Sequence, residues 1–336
     1  MHNHAHQAGH RPYRSILVTL VATLLALVAS AGPASAAEPR AAASPRTWTV
    51  QVGQESNDGG IQGMAFGPDE IWINEGDTVN WTANSMEIHT VSFFDPATYP
   101  NDTFPPFDPT NPAMVARTSE TTIDQPGQVR NSGLMTTLDP TSLTYELTFT
   151  GTGDFSYVCY VHGKMMMGTV HVRDSGTSYP FSQQKYDAQA RQARTKALAA
   201  GNLLQADARA SSNPHHVYMG AADDTAMVMR FVRPTVRIRA GETVTFDMAK
   251  NAAPVPHTVT FGEEQPDPQN PSPFPYGDPT QYEGGNLSSG YLFAEEFAAP
   301  PFDQSTFDVT FTKPGTYHYI CMLHDEMGMV GTVVVK

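Results

Sequence analysis

Apolar and polar residues alternate at period two along most of the chain, in short runs broken by Gly, Pro, Asn and Asp. That pattern predicts half-buried strands connected by turns. Residues 183–208 differ: they are rich in Ala, Gln and Arg, and Tyr186, Ala190, Ala193, Ala197, Ala200 and Leu204 recur at alternating spacings of four and three. A helix fits this stripe, with Gly201-Asn202 as its weak point. It serves either as a packed element, on a domain or between subunits, or as a solvated linker. The start of the chain differs again. Arg11 and Arg14 precede a largely apolar run from Ile16 to Ala31, and Ala34-Ser35-Ala36 follows it. These features predict a secretory signal over 1–36, cleaved near Ala36, and a mature protein that is secreted or extracytoplasmic with no stable membrane span.

The strand pattern occurs twice. Residues 64–79 align without gaps to 229–244, from a Met-x-Phe start to Gly-(Asp/Glu)-Thr-Val. His89-Thr-Val-Ser-Phe then corresponds to His257-Thr-Val-Thr-Phe, Ser132-Gly133 to Ser289-Gly290, and 145–162 to 307–324. The copies close on Gly168-Thr-Val and Gly331-Thr-Val. Each copy has enough short strands for a β-sandwich, so the chain is predicted to be all-β, a duplication of one fold.

Composition agrees. Of 336 residues, 16% are charged and 40% hydrophobic, with 26 Gly and 27 Pro. That is too apolar for a disordered chain and too rich in turn formers for a helical bundle. Lys and Arg number 20 against 34 Asp and Glu, a formal charge of −14, which argues against nucleic acid as a partner. Removing the two signal arginines makes the mature chain more acidic still. Its cysteines, Cys159 and Cys321, are too few for a disulfide-stapled domain.

Those cysteines stand at equivalent places, each three residues before a His: Cys159-Tyr-Val-His162 and Cys321-Met-Leu-His324. Each has an upstream His, His89 or His257, and methionine close behind. Two imidazoles, a thiolate and a thioether make the donor set of type 1 copper. Zinc is the alternative metal, although structural zinc sites rarely use Met. Without a metal, the same residues could form a Cys159–Cys321 disulfide or simply fill the core.

On these residues, each repeat resembles a cupredoxin of the plastocyanin/pseudoazurin type, most closely in Cys321-x-x-His324-x-x-Met327-Gly-Met329 and the strand pair from Phe307 to Tyr319. The resemblance implies Greek-key β-sandwich domains over 47–173 and 213–336, joined through a helical linker within 174–212, each with one type 1 copper. It implies His257, Cys321, His324 and Met329 as ligands in the second domain. In the first, His89, Cys159 and His162 correspond. Met165, Met166 and Met167 all lie at spacings that such loops use, and the shared Met-x-Gly-Thr-Val phase selects Met166. Leu323 and Val161 stand where the family often has Pro. One-electron transport is implied too, with the imidazole edges of His162 and His324 at the surface as electron ports. The partners expected are redox proteins with a basic docking surface, drawn to the acidic chain.

Related architectures with other functions need more ligands. Multicopper oxidases and copper nitrite reductases are built from such domains, yet downstream of the signal there is no His-x-His pair. The residues flanking the cysteines, Val158, Tyr160, Ile320 and Met322, include no His. The expectation is an electron carrier, not an enzyme. Downstream of the signal, four histidines remain, His171, His215, His216 and His318. The His215-His216 pair near Met219, with the surplus of Met, leaves copper capture or delivery as the competing function. Pro-rich insertions at 95–113 and 265–279 are expected at the ligand end of each sandwich, as covers, docking surfaces or plain loops.

Overall fold

A computed structural model describes residues 44–264 and 272–336; the expected signal over 1–36 and the first part of the 265–279 insertion lie outside them. The first repeat contains β1 (Thr47–Glu55), β2 (Ile61–Gly67), β3 (Glu70–Asn74), β4 (Thr78–Ala83), β5 (Ser92–Phe93), the short helix α1 (Pro112–Val115), β6 (Thr122–Ile123), β7 (Arg130–Asn131), β8 (Thr144–Phe149), β9 (Gly153–Cys159) and β10 (Gly163–Arg173). Helix α2 (Gln183–Ser211) leads into the second: β11 (His216–Ala222), β12 (Ala226–Val232), β13 (Thr235–Ile238), β14 (Glu242–Asp247), β15 (Thr260–Phe261), β16 (Leu287–Ser288), β17 (Thr306–Phe311), β18 (Gly315–Ile320) and β19 (Val330–Val335). Among the described residues no helix is long and apolar enough to cross a membrane.

The period-two pattern becomes burial. Val79, Trp81 and Ala83 of β4 point inward between half-exposed neighbours, and Phe307, Val309 and Phe311 of β17 do so between exposed or half-exposed ones. Trp81, Phe93, Phe149 and Tyr157 fill one core, and Phe246, Phe261, Phe311 and Tyr319 the other. One layer of each sandwich is its own five-stranded sheet, ordered β3-β10-β9-β5-β7 and β13-β19-β18-β15-β16.

The other layer is shared. β2 pairs antiparallel with β12, so that nine strands run as one sheet, β17-β14-β11-β12-β2-β1-β4-β8-β6. Two edges that each sandwich would otherwise leave open are thereby closed. The register is self-complementary. Gln62 faces Met227, its own counterpart in the repeat, while Ile61 faces Val228 and Gly63 faces Ala226. The two repeats are thus related locally by a pseudo-two-fold axis passing between Gln62 and Met227.

Helix α2 covers this seam, packing on β1, β2, β11 and β12. Ser182 caps it, its side chain accepting from the Lys185 N–H. Tyr186, Ala190, Ala197, Gly201 and Ala208 are buried, with Ala193, Ala200 and Leu204 half-buried at the margin, so the stripe is a packed face and not a solvated linker. Gly201 is no weak point either: the helix runs through it, and a Cβ there would collide with Ile61. Likewise a Cβ on Gly63 would lie 2.8 Å from Ala197 Cβ, and one on Gly67 2.9 Å from Ala190 Cβ. Small residues on both surfaces let the helix lie close to the sheet.

Leu and Ala have similar helix propensities, so Ala197→Leu isolates this close approach. The substitution should destabilise the fold by about 1–3 kcal/mol through overpacking against Gly63. Leu203→Ala, at a position 73% exposed, should leave stability unchanged. Urea unfolding midpoints check both.

Candidate metal centres

In the first repeat β9 ends on Cys159, and a tight turn brings His162 back beside it, the His162 N–H donating to the Cys159 carbonyl at 3.2 Å. His89 lies on the β4–β5 connection, bonded in both directions to Met135 at 2.9 and 2.8 Å. Thr90 ties this connection to the cysteine strand. Its N–H donates to Cys159 Sγ at 3.3 Å, and its hydroxyl accepts from the Tyr160 N–H at 2.8 Å. The Ser132 hydroxyl accepts from the Val91 N–H at 2.8 Å. The second repeat copies each contact: Thr258 N–H to Cys321 Sγ at 3.3 Å, Met322 N–H to the Thr258 hydroxyl at 2.9 Å, and Val259 N–H to the Ser289 hydroxyl at 2.9 Å. The repeated His-Thr-Val and Ser-Gly motifs are therefore the clamp that fixes the upstream His against the Cys strand.

Two triads result, His89–Cys159–His162 and His257–Cys321–His324, each buried with its ligand atoms within 4.8 Å of one another. Cys159 Sγ is 3.8 Å from His89 Nδ1 and 3.4 Å from His162 Nδ1. Cys321 Sγ has the same distances to His257 and His324. The Nδ1 atoms of His257 and His324 are 3.0 Å apart, where two lone pairs repel unless a proton or a metal cation lies between them. The donor set therefore fits copper in chemistry and spacing.

The ladder fixes the register of the methionines. Val158 pairs with Met167 as Ile320 pairs with Val330, so Met166 and Met329 occupy the same position. Both are buried in the core clusters that contain the cysteines. Met167 joins a separate cluster with Phe94, Val158 and Tyr160, against which Tyr99, Phe104 and Phe107 of the 95–113 insertion also pack. That insertion lies beside the ligand loop.

Two supporting residues escaped sequence reasoning. Gly53 and Gly220 sit at φ 75° and 81° in bulges of β1 and β11. A Cβ on Gly53 would collide with the His89 ring, and one on Gly220 would come within 3.2 Å of His257 Nε2. The signal available was a glycine inside a strand pattern.

Burial sets the protonation states. It pushes the thiols of Cys159 and Cys321 up to about 11, and His162 and His324 down to about 3; His89 and His257 also fall well below the usual range. At neutral pH, metal-free, these are thiols and neutral imidazoles.

One expectation is overturned. His162 and His324 do not reach the surface; they are 1% and 4% exposed. The β2–β12 seam turns the ligand ends of the sandwiches toward each other. Arg230 reinforces that closure, donating to the Met327 carbonyl of the second ligand loop and, at 2.8 Å, to the Asp58 carbonyl of the first repeat. Met327 belongs to the core cluster of the first repeat. Glu87, also buried, separates the two imidazoles, with Oε1 3.9 Å from His162 Nε2 and Oε2 3.5 Å from His324 Nε2. Burial raises its carboxyl to about 7.

The spare histidines stay apart from both centres. His171 stacks on Trp72 and meets Asp154 at 2.7 Å, His215 lies by Glu242, His216 meets Asp247 at 2.9 Å, and His318 meets Thr332 at 3.1 Å.

A model of copper binding proteins of the plastocyanin/azurin family matches residues 53–173 and again 216–336. Over 140 residues the chain is 34% identical to a chloroplastic plastocyanin of Hordeum vulgare, spanning 42% of this chain and 72% of that protein. It is 32% identical over 108 residues to plastocyanin A'/A'' of Nicotiana tabacum, spanning 32% and 89%. The oxidized plastocyanin structure from Dryopteris crassirhizoma aligns at 19% identity over 36% of this chain and 99% of that one, with a TM-score of 0.23.

The protonation states give a signed pH dependence. Metal binding must expel the cysteine proton, whereas the imidazoles have none to lose above about 3. Copper(I) affinity per centre should rise about tenfold per pH unit between roughly pH 5 and 9. Calorimetric titration in buffers of different ionisation enthalpy should count one proton released per centre; Cys159→Ser and Cys321→Ser should each abolish one.

Proposed function

Because the chain belongs to the plastocyanin/azurin family of copper-binding proteins, we propose that it is an extracytoplasmic blue copper electron carrier with two type 1 centres, one in each repeat. The observation that carries this proposal is the duplicated buried His-Cys-His triad, with a methionine at the same register beside each. His89, Cys159, His162 and Met166 would hold the first copper, and His257, Cys321, His324 and Met329 the second. Each copper, when bound, would supply a reversible one-electron couple.

The chain's own groups prepare that chemistry. The Thr90 and Thr258 N–H groups donate to the sulfurs and stabilise them as thiolates. Strand ladders and the Thr–Ser clamps hold the ligands in place, so electron gain and loss demand little rearrangement. Half-buried Met86, Val161, Met165 and Leu323 pack around the centres and exclude water. The depth of the ligands favours a carrier over capture and delivery, since releasing metal would require opening the seam. The leader pattern over 1–36 supports the extracytoplasmic location, and the formal charge of −14 supports a redox partner with a basic surface, held more weakly as salt rises.

The test is copper stoichiometry with visible absorption and EPR of the mature protein, beside Cys159→Ser and Cys321→Ser. Two coppers and an intense blue thiolate band, of which each substitution removes about half, are the expected result. One copper would reduce a repeat to a structural role, a third copper with a non-blue signal would point to an enzyme, and absence of the blue band would overturn the proposal.

A further inference from the structure

Glu87 is a buried acid with no part in either ligand triad. It stands two residues before His89, yet its carboxylate lies on the seam between the repeats, 3.9 Å from His162 Nε2 and 3.5 Å from His324 Nε2. Glu87 Oε2 and His162 Nε2 have no hydrogen-bond partner among the described residues, although both are fully enclosed. Polar atoms enclosed in this way are costly unless something satisfies them. The rings are suited to do so. Their Nδ1 atoms face the cysteines, which leaves the N–H on Nε2, the atom that faces Glu87. A metal-bound imidazole commonly gives this second N–H to a carboxylate, and one carboxylate has an oxygen for each of two rings. The counterpart of Glu87 in the second repeat is Val255, also buried, so the device occurs once, between the centres.

We propose that Glu87 is a shared acceptor, taking the Nε2–H of His162 on one oxygen and that of His324 on the other, and so couples the two copper centres into one electronic unit. This rests on the proposed function, in which both triads hold copper. A shift of about 1 Å closes both gaps to hydrogen-bond length. The bridge then gives an internal route from Cys159 through His162, Glu87 and His324 to Cys321. In the step it serves, one electron leaves the reduced centre, which is oxidised, and enters the oxidised centre, which is reduced. Both Nε2 protons stay on their rings, and no bond to carbon, nitrogen or oxygen is made or broken.

The experiment compares the wild-type protein loaded with copper with Glu87→Gln and Glu87→Leu. In the isotope-labelled, diamagnetic Cu(I) protein, proton–nitrogen NMR should show two downfield, solvent-protected Nε2–H signals, from His162 and His324. Glu87→Leu should lose both although it changes only one residue, while Glu87→Gln, a near-isostere with one acceptor oxygen, should keep one. After pulsed one-electron reduction of the oxidised protein, transfer between centres should be independent of protein concentration and slow by roughly tenfold or more in Glu87→Leu. Retained blue bands show that the variants keep both sites. Imidazole signals that ignore Glu87, transfer that is unchanged in the variants or scales with protein concentration, or a third metal bound between the histidines would each overturn the bridge. Fewer than two coppers per wild-type chain would instead overturn the proposed function beneath it.

Discussion

The antiparallel pairing of Ile61, Gln62 and Gly63 with Val228, Met227 and Ala226 is the contact on which the rest of the arrangement depends. A sandwich ends in open strand edges that must be covered or paired. Here each repeat closes the other, and because the register is self-complementary the ends that carry the ligands are brought face to face. Helix α2 then lies over the join. Its approach depends on small side chains, Ala190 and Ala197 against Gly67 and Gly63, with Gly201 over Ile61. A bulkier helix would still be a helix, but it could not lie so close to this seam.

That closure changes what the imidazole edges can do. In the expected arrangement they meet a partner protein at the surface, whereas here each meets the other repeat, with Glu87 between them. On the proposed bridge, Glu87 is what offsets the cost of enclosing these imidazole edges. On the proposed carrier reading, external electrons then enter by another face of each centre. The 95–113 insertion, whose aromatic residues pack beside Met167 and Tyr160, borders one such face.

Much of this was legible in the sequence because the chain states it twice. The His-Thr-Val, Ser-Gly and Cys-x-x-His motifs recur in order, and repetition separates the candidate ligands from chance residues; His171 and His318, unmatched in the other copy, bond to Asp154 and Thr332 away from both triads. The Met-x-Gly-Thr-Val phase gave the same register for Met166 that the ladder does. The seam was not legible. A three-residue edge pairing has no periodic signature, and Ile61-Gln-Gly reads like any strand start. Glu87 was hidden for the opposite reason: it is unmatched in the other repeat, and acidic residues ordinarily lie at the surface. Gly201 misled because its helix penalty is local and its packing advantage is not.

The correspondence of Glu87 in one repeat to Val255 in the other shows what covalent duplication permits. Two identical chains meeting on a true two-fold axis place a residue near that axis opposite its own twin, so an acid set between two equivalent imidazoles would meet a second acid there, with two carboxylates in one dry space. Joining the copies in one chain removes that constraint. One side can carry the oxygens and the other a methyl-bearing wall, and a single carboxylate can serve both halves.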